Sequence, residues 1–130
     1  MKNKIKYRVL VVLLFALSFM LFGCGQGPDP DGVSDPEDTI DFSTVPDGTH
    51  RGTFTYGAFN FVVDVVAEDG EVAEIIVVQN RDNQPSRDAE VVLDRVVEEQ
   101  SLDVDVVSGA TVSSRTLLRA VQNALDRAVQ

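Results

Sequence analysis

Residues 103–118 read Asp-Val-Asp-Val-Val-Ser-Gly-Ala-Thr-Val-Ser-Ser-Arg-Thr-Leu-Leu. At the centre of this stretch, Ser108-Gly109-Ala110-Thr111 sets small residues around one hydroxyl, where a strand-like segment gives way to a helical one. Small residues let another molecule approach the backbone closely. A helix start offers free N–H groups and the positive end of a dipole, which suit a phosphate. The chemistry these residues suit is the holding of a phosphate-bearing group at Thr111. An ordinary strand-to-helix turn uses the same small residues, so the four letters alone are not specific.

The flanks add specificity. Asp105, Ser108, Gly109, Ala110, Thr111, Ser113 and Ser114 fit, position by position, an Asp-x-x-Ser-Gly-Ala-Thr-x-Thr/Ser-Ser run. That run resembles the signature of the FMN-binding domain family, found in subunits of sodium-pumping and related membrane electron-transfer complexes. Asp47-Gly48-Thr49-His50-Arg51-Gly52 is similar to the family's Asp-Gly-x-aromatic-x-Gly opening, with His50 in the aromatic position. The turn at 68–70 and the Gln100-Ser101-Leu102-Asp103 lead-in are similar too. The resemblance implies FMN as cofactor, coupled through its phosphate to Thr111 by a separate flavin transferase. A threonine hydroxyl is a poor nucleophile at neutral pH, and nothing beside Thr111 in sequence would activate it. In this reading Asp105 either helps the transferase recognise the run or is an exposed strand residue. Ser113 and Ser114 are helix caps first and phosphate neighbours second. The chain departs from the family before its first helix, where many members carry Glu-Thr-Pro-Gly and this one reads Asp82-Asn83-Gln84-Pro85-Ser86. The departure bears on how the isoalloxazine ring is held more than on where the phosphate attaches.

The first 24 residues read as an export signal. Lys2, Lys4, Lys6 and Arg8 precede an apolar run from Val9 to Phe22 that is short for a bilayer span. Leu21-Phe22-Gly23-Cys24 resembles the lipobox of bacterial lipoproteins, in which the Cys is acylated and becomes the new N-terminus. An uncleaved anchor is the alternative, and either way the remainder is expected outside the cytoplasmic membrane. Cys24 is the only cysteine, so no intramolecular disulfide can form. Beyond the signal remain seven arginines and no lysine against 21 acidic residues, a formal charge near −14. Such a polyanion is repelled by nucleic acid and by anionic lipid. It suits a wet surface, or a positively charged membrane or extracellular redox partner.

Residues 25–46 are rich in Gly, Pro, Asp and Ser, and read as a flexible acidic tether. The prolines at 28, 30 and 36 break the ligand spacing of a calcium loop. Residues 47–130 suffice for one small domain, expected to fold without the tether. Thr49 to Tyr56 predicts a strand. Phe59–Glu68 and Val72–Val78 predict a hairpin closed by Asp69-Gly70. That turn sets Phe61 opposite Val78, Val63 opposite Ile76 and Val65 opposite Glu74. One face then gathers Phe59, Phe61, Val63, Val65, Ile76 and Val78, and the other gathers Val62, Val66, Ala73, Ile75 and Val77 around Asp64. Gln79 to Ser86 reads as a polar loop and Asp88 to Gln100 as a helix. Asp103 to Val107 reads as a short strand or extended lead-in. A final helix, capped by Ser113 or Ser114, turns Leu117, Val121, Leu125 and Ala128 inward. The fold class is α+β: a small antiparallel sheet packed with two helices.

His50 is the only histidine, which excludes a histidine zinc cluster. No Gly-x-Ser-x-Gly elbow accompanies it, so a hydrolase is disfavoured. His50 reads as a strand residue in an aromatic slot. Phe54, Tyr56, Phe59 and Phe61 read as core, with one of them able to stack on a flavin, and Arg81 and Arg87 read as solvated, with pairing to flavin oxygens as the alternative. The sequence thus points to a lipid-anchored, extracytoplasmic electron carrier with FMN on Thr111, and not to an enzyme in its own right. A non-redox binding or adhesion lipoprotein with the same fold is the alternative.

Overall fold

The computed structural model describes residues 32–37 and 39–130. The export signal, Cys24 and the first part of the expected tether lie outside the described residues. Three antiparallel strands, β1 (Gly48–Tyr56), β2 (Phe59–Glu68) and β3 (Glu71–Gln79), form one sheet in the order β1-β2-β3. Three helices follow: α1 (Gln84–Ala89), α2 (Val91–Glu99) and α3 (Thr111–Ala128). Among the described residues no helix is long and apolar enough to cross a membrane. The architecture is α+β, with the first expected helix delivered in two parts that turn at Glu90.

The hairpin begins as its turn dictates and then departs from the expected register. Asp69 and Gly70 both have positive φ, 54° and 79°, and they pair Glu68 with Glu71 and Ala67 with Val72. Past Val72 the register slips: Val66 pairs with Glu74, Val65 with Ile75, Asp64 with Ile76 and Val63 with Val77. A second slip skips Val78, so that Val62 pairs with Gln79. Because the side-chain period of a strand is two, each one-residue bulge exchanges the faces beyond it. Ile75 and Val77 therefore join Phe61, Val63 and Val65 on the core side, while Ile76 and Val78 are exposed. Phe59, expected in the core, is 45% exposed at the strand end. On the opposite face Asp64 meets Arg51 across β1–β2 in a two-pronged ion pair, both contacts 2.7 Å.

The long helix α3 covers the core face of the sheet. Leu117, Val121 and Leu125 are buried as the helical spacing requires, and Ala128 packs against them partly buried. Leu118, Ala120 and Ala124 are buried as well, the two alanines against Gly52 of β1, and α3 also meets the other helices. Each fully buried Leu or Val is worth about 1.5–3 kcal/mol relative to exposure. The closest approach is at Gly52 on β1, whose missing side chain leaves the space that the α3 backbone occupies. Helix α2 adds Val92, Leu93 and Val96 to the same core.

The core extends into the expected tether. Phe42 and Val45 are 5% and 3% exposed and belong to the main apolar cluster, beside a 3-10 turn at Phe42–Thr44 capped by Asp41. Val33 is buried too, and Asp35 pairs with Arg115 of α3 at 2.6 Å. Two large side chains inside a Pro- and Asp-rich stretch are thus enough to pin it to the domain, so the packed unit begins before Asp47.

Candidate functional site

Thr111 is the first residue of α3, and the chain reaches it through a tight turn. Ala110 N–H donates to the Val107 carbonyl at 2.9 Å, and Gly109 has φ of 80°, a conformation costly for a residue with a side chain. Beneath the turn lies Ser114, fully buried. Its Oγ accepts from Val107 N–H at 3.1 Å and donates to the Ala110 carbonyl at 2.9 Å. Ser114 therefore ties the incoming loop to the first helical turn and is not the helix cap expected of it.

The cap position belongs to Ala110, which has no side-chain oxygen, and no side chain caps α3. The first intrahelical bond at this end runs from Ser114 N–H to Ala110 O, 2.8 Å. The N–H groups of Thr111, Val112 and Ser113 are thus left for an outside acceptor, at the positive end of an 18-residue helix. They open onto a shallow recess of about 310 Å³ lined by Pro85, Gly109, Ala110, Thr111, Val112 and Ser113.

The nearby hydroxyls differ in their engagements. Ser113 Oγ lies 3.3 Å from Ser86 Oγ, and Ser114 is held as described. Among the described residues the Thr111 hydroxyl makes no hydrogen bond. Anion-seeking N–H groups, room beside a positive-φ glycine and one uncommitted hydroxyl fit a phosphate monoester at this point.

Of the residues singled out in the sequence, Gly109, Ala110, Thr111 and Ser113 meet at the recess. Ser108 is exposed on the turn and does not line it. Asp105 is exposed as well, on a stretch that forms no strand, and lines a separate cavity of about 250 Å³ with Asp35 and Arg115. Its backbone carbonyl accepts from Arg95. Burial alternates along this stretch, with Leu102 and Val104 inside and Asp103 and Asp105 outside, as an extended lead-in requires.

The loop read as plain polar connection contributes to the site. Asn83 Oδ1 accepts from Ser86 N–H at 2.9 Å and caps α1, with Pro85 in the first turn. Asn80 Nδ2 donates to Ser86 O at 2.9 Å and to Glu90 Oε1 at 2.8 Å, which ties α1 to the end of β3, and the Ser86–Ser113 hydroxyl contact sets it beside the start of α3. Pro85 and Ser86 thereby face the Thr111 turn. An Asn cap followed by Pro is a helix-start signal, and it was available in the sequence. Arg81 is not solvated as expected: its guanidinium lies 4.0 Å from the Phe59 ring centroid, and its Nε is buried without a hydrogen-bond partner. Arg87 does lie in water, paired with Asp82.

Comparison with known proteins agrees with this geometry. The chain is similar to urocanate reductase from Eggerthella lenta, 36% identical over 77 residues. These make up 58% of this chain but 13% of that protein, so the chain spans only a small part of the reductase's length. Residues 56–126, more than half of the chain and including the whole Thr111 turn, match the family model described as FMN-binding domain. The chain belongs to the FMN-binding domain family, and its cofactor is FMN.

Proposed function

We propose that this protein is a lipid-anchored electron carrier working outside the cytoplasmic membrane, with FMN esterified through its phosphate to Thr111. The observation that carries the attachment is the contrast among hydroxyls. Ser113 and Ser114 have partners within the fold, whereas Thr111 has none and stands over three uncapped N–H groups. When bound, the flavin supplies the redox chemistry, and the protein supplies attachment and environment.

The residues lining the recess include no acid or base to activate the Thr111 or Ser113 hydroxyl, so the attachment is the work of a separate flavin transferase. The exposed Asp105 carboxylate, six residues before Thr111, is available for that enzyme to recognise. The same lining favours a carrier over an enzyme. The similarity to part of a reductase supports a redox role over adhesion, although that reductase's substrate and activity belong to the larger protein. Anchoring rests on Cys24 at the end of the apolar run, and equal detergent partitioning of wild type and Cys24→Ser would contradict it. The test of the function is a flavin that stays on the unfolded polypeptide after production with a flavin transferase. A chain that leaves such a purification colourless is instead a non-redox binding module.

A further inference from the structure

Acidic residues outnumber lysine and arginine together by 21 to 11, yet among the described residues Arg81, like Arg95, Arg119 and Arg127, forms no salt bridge. Its Nε is buried without a hydrogen-bond partner, which costs free energy unless something else engages the group. Its plane covers the ring of Phe59, one of the exposed large apolar side chains, at 4.0 Å.

This pair lies at the same end of the domain as Thr111. Helix α3 runs antiparallel to β1, with Ala120 and Ala124 against Gly52, Asn123 Nδ2 bonded to Thr53 O, and Arg119 toward Phe54. Nine residues back from Ala120 to Thr111 rise about 13.5 Å along the helix, and Gly52 to Tyr56 rises about 13 Å along the strand. The start of α3 is thus level with Tyr56, whose pairing partner is Phe59. The loop that carries Arg81 also carries Pro85 of the recess and Ser86, the neighbour of Ser113.

We propose that the Arg81–Phe59 pair is the seat of the isoalloxazine ring, with the guanidinium beside the pyrimidine edge that bears negative charge when the ring is reduced. The inference rests on the Thr111 reading, because the ribityl chain must start there. A guanidinium is planar, stacks on aromatic faces and stays charged at every physiological pH, so it suits both stacking and charge stabilisation. The cation favours the anionic reduced ring over the neutral oxidised one and raises the midpoint potential.

The experiment uses the full chain produced with a flavin transferase, as wild type, Arg81→Gln, Arg81→Lys, Phe59→Ala and Arg87→Gln. Circular dichroism checks folding and intact mass counts covalent FMN before any titration with dithionite against a reference dye. The expected result is full FMN mass in all five. In Arg81→Gln the reduced-to-oxidised ratio at fixed potential falls about tenfold, about 30 mV for a two-electron couple. Arg81→Lys stays closer to wild type because it keeps the charge, and Arg87→Gln is unchanged. Phe59→Ala brightens flavin fluorescence by removing a stacking surface. A fully labelled Arg81→Gln that titrates like wild type overturns the inference and leaves the Thr111 reading standing. A folded Arg81→Gln that loses the FMN mass also overturns it, since Arg81 would then act in recognition by the transferase. Wild type without covalent FMN contradicts the Thr111 reading itself, and this inference with it.

Discussion

Gly52 and Ala120 are in contact through their backbones. A β-carbon placed on Gly52 would stand 1.9 Å from the Ala120 carbonyl oxygen and 2.7 Å from Ala124 N, so a side chain at Gly52 would push α3 off the sheet. Since α3 carries Thr111 at its far end, this one glycine sets where the Thr111 turn lies. Gly52→Ala should cost at least the roughly 1–3 kcal/mol typical of core overpacking. At about 4–8 °C per kcal/mol for a domain of this size, thermal unfolding should begin well below wild type. An unchanged melting temperature would show that α3 does not need this approach.

The sequence carried the positions of greatest constraint, and the structure shows why. Gly52 closed an Asp-Gly-x-aromatic-x-Gly run, and Gln100 opened a lead-in. Gln100 bonds both Val72 N and Val72 O with its side chain, 2.8 and 2.9 Å, and so holds the edge strand where its register slips. The slip itself was not legible. Ala73 and Val78 look like any strand residues, and a bulge is decided by packing across the sheet rather than by local preference. Every inward-facing assignment on β3 beyond Val72 changed as a result. At the site, the turn and Thr111 were legible from small residues before a helical stripe. Arg81, by contrast, lies 30 residues from Thr111 in the chain, and only the folded sheet brings its loop to that end.

Ser114 offers a test of how the turn is built. Ser114→Ala leaves Val107 N–H without its acceptor and removes the donor to Ala110 O. Leaving a buried group unsatisfied costs about 1–3 kcal/mol. The expected outcome is a lower denaturant midpoint with FMN mass retained on Thr111. Retained stability would mean that the turn holds its shape without Ser114.

The segment before Asp47 should contribute to stability. Phe42 is 5% exposed in the core cluster, and truncating a buried Phe to Ala costs about 3 kcal/mol or more. A chain beginning at Asp47 should therefore melt below one beginning at Gly32, and Phe42→Ala in the longer chain should account for much of the difference. Equal melting of the two chains would show that residues 32–46 do not belong to the packed unit.

Asp64 provides a pH signature. The hydrogen bond from Arg51 holds its carboxyl below the usual carboxylate range. With the folded value below an unfolded value of about 3.9, the pair stabilises above that pH and is lost as pH falls through the folded value. The melting difference between wild type and Arg51→Gln should be present at neutral pH and shrink in acid below about pH 4. A difference that stays constant into acid would mean that the ion pair contributes nothing measurable.

The most direct measurement is the site of the FMN mass on the polypeptide. The protein, produced with a flavin transferase and denatured, is digested, and the peptide spanning residues 103–115 is sequenced by mass spectrometry. The added FMN mass should sit on Thr111, and Thr111→Ala should yield a folded protein that is colourless after denaturation. Thr111→Ser should keep partial labelling, since the oxygen remains. FMN found on Ser113 or Ser114, or a denaturation-resistant flavin in Thr111→Ala, would contradict the account.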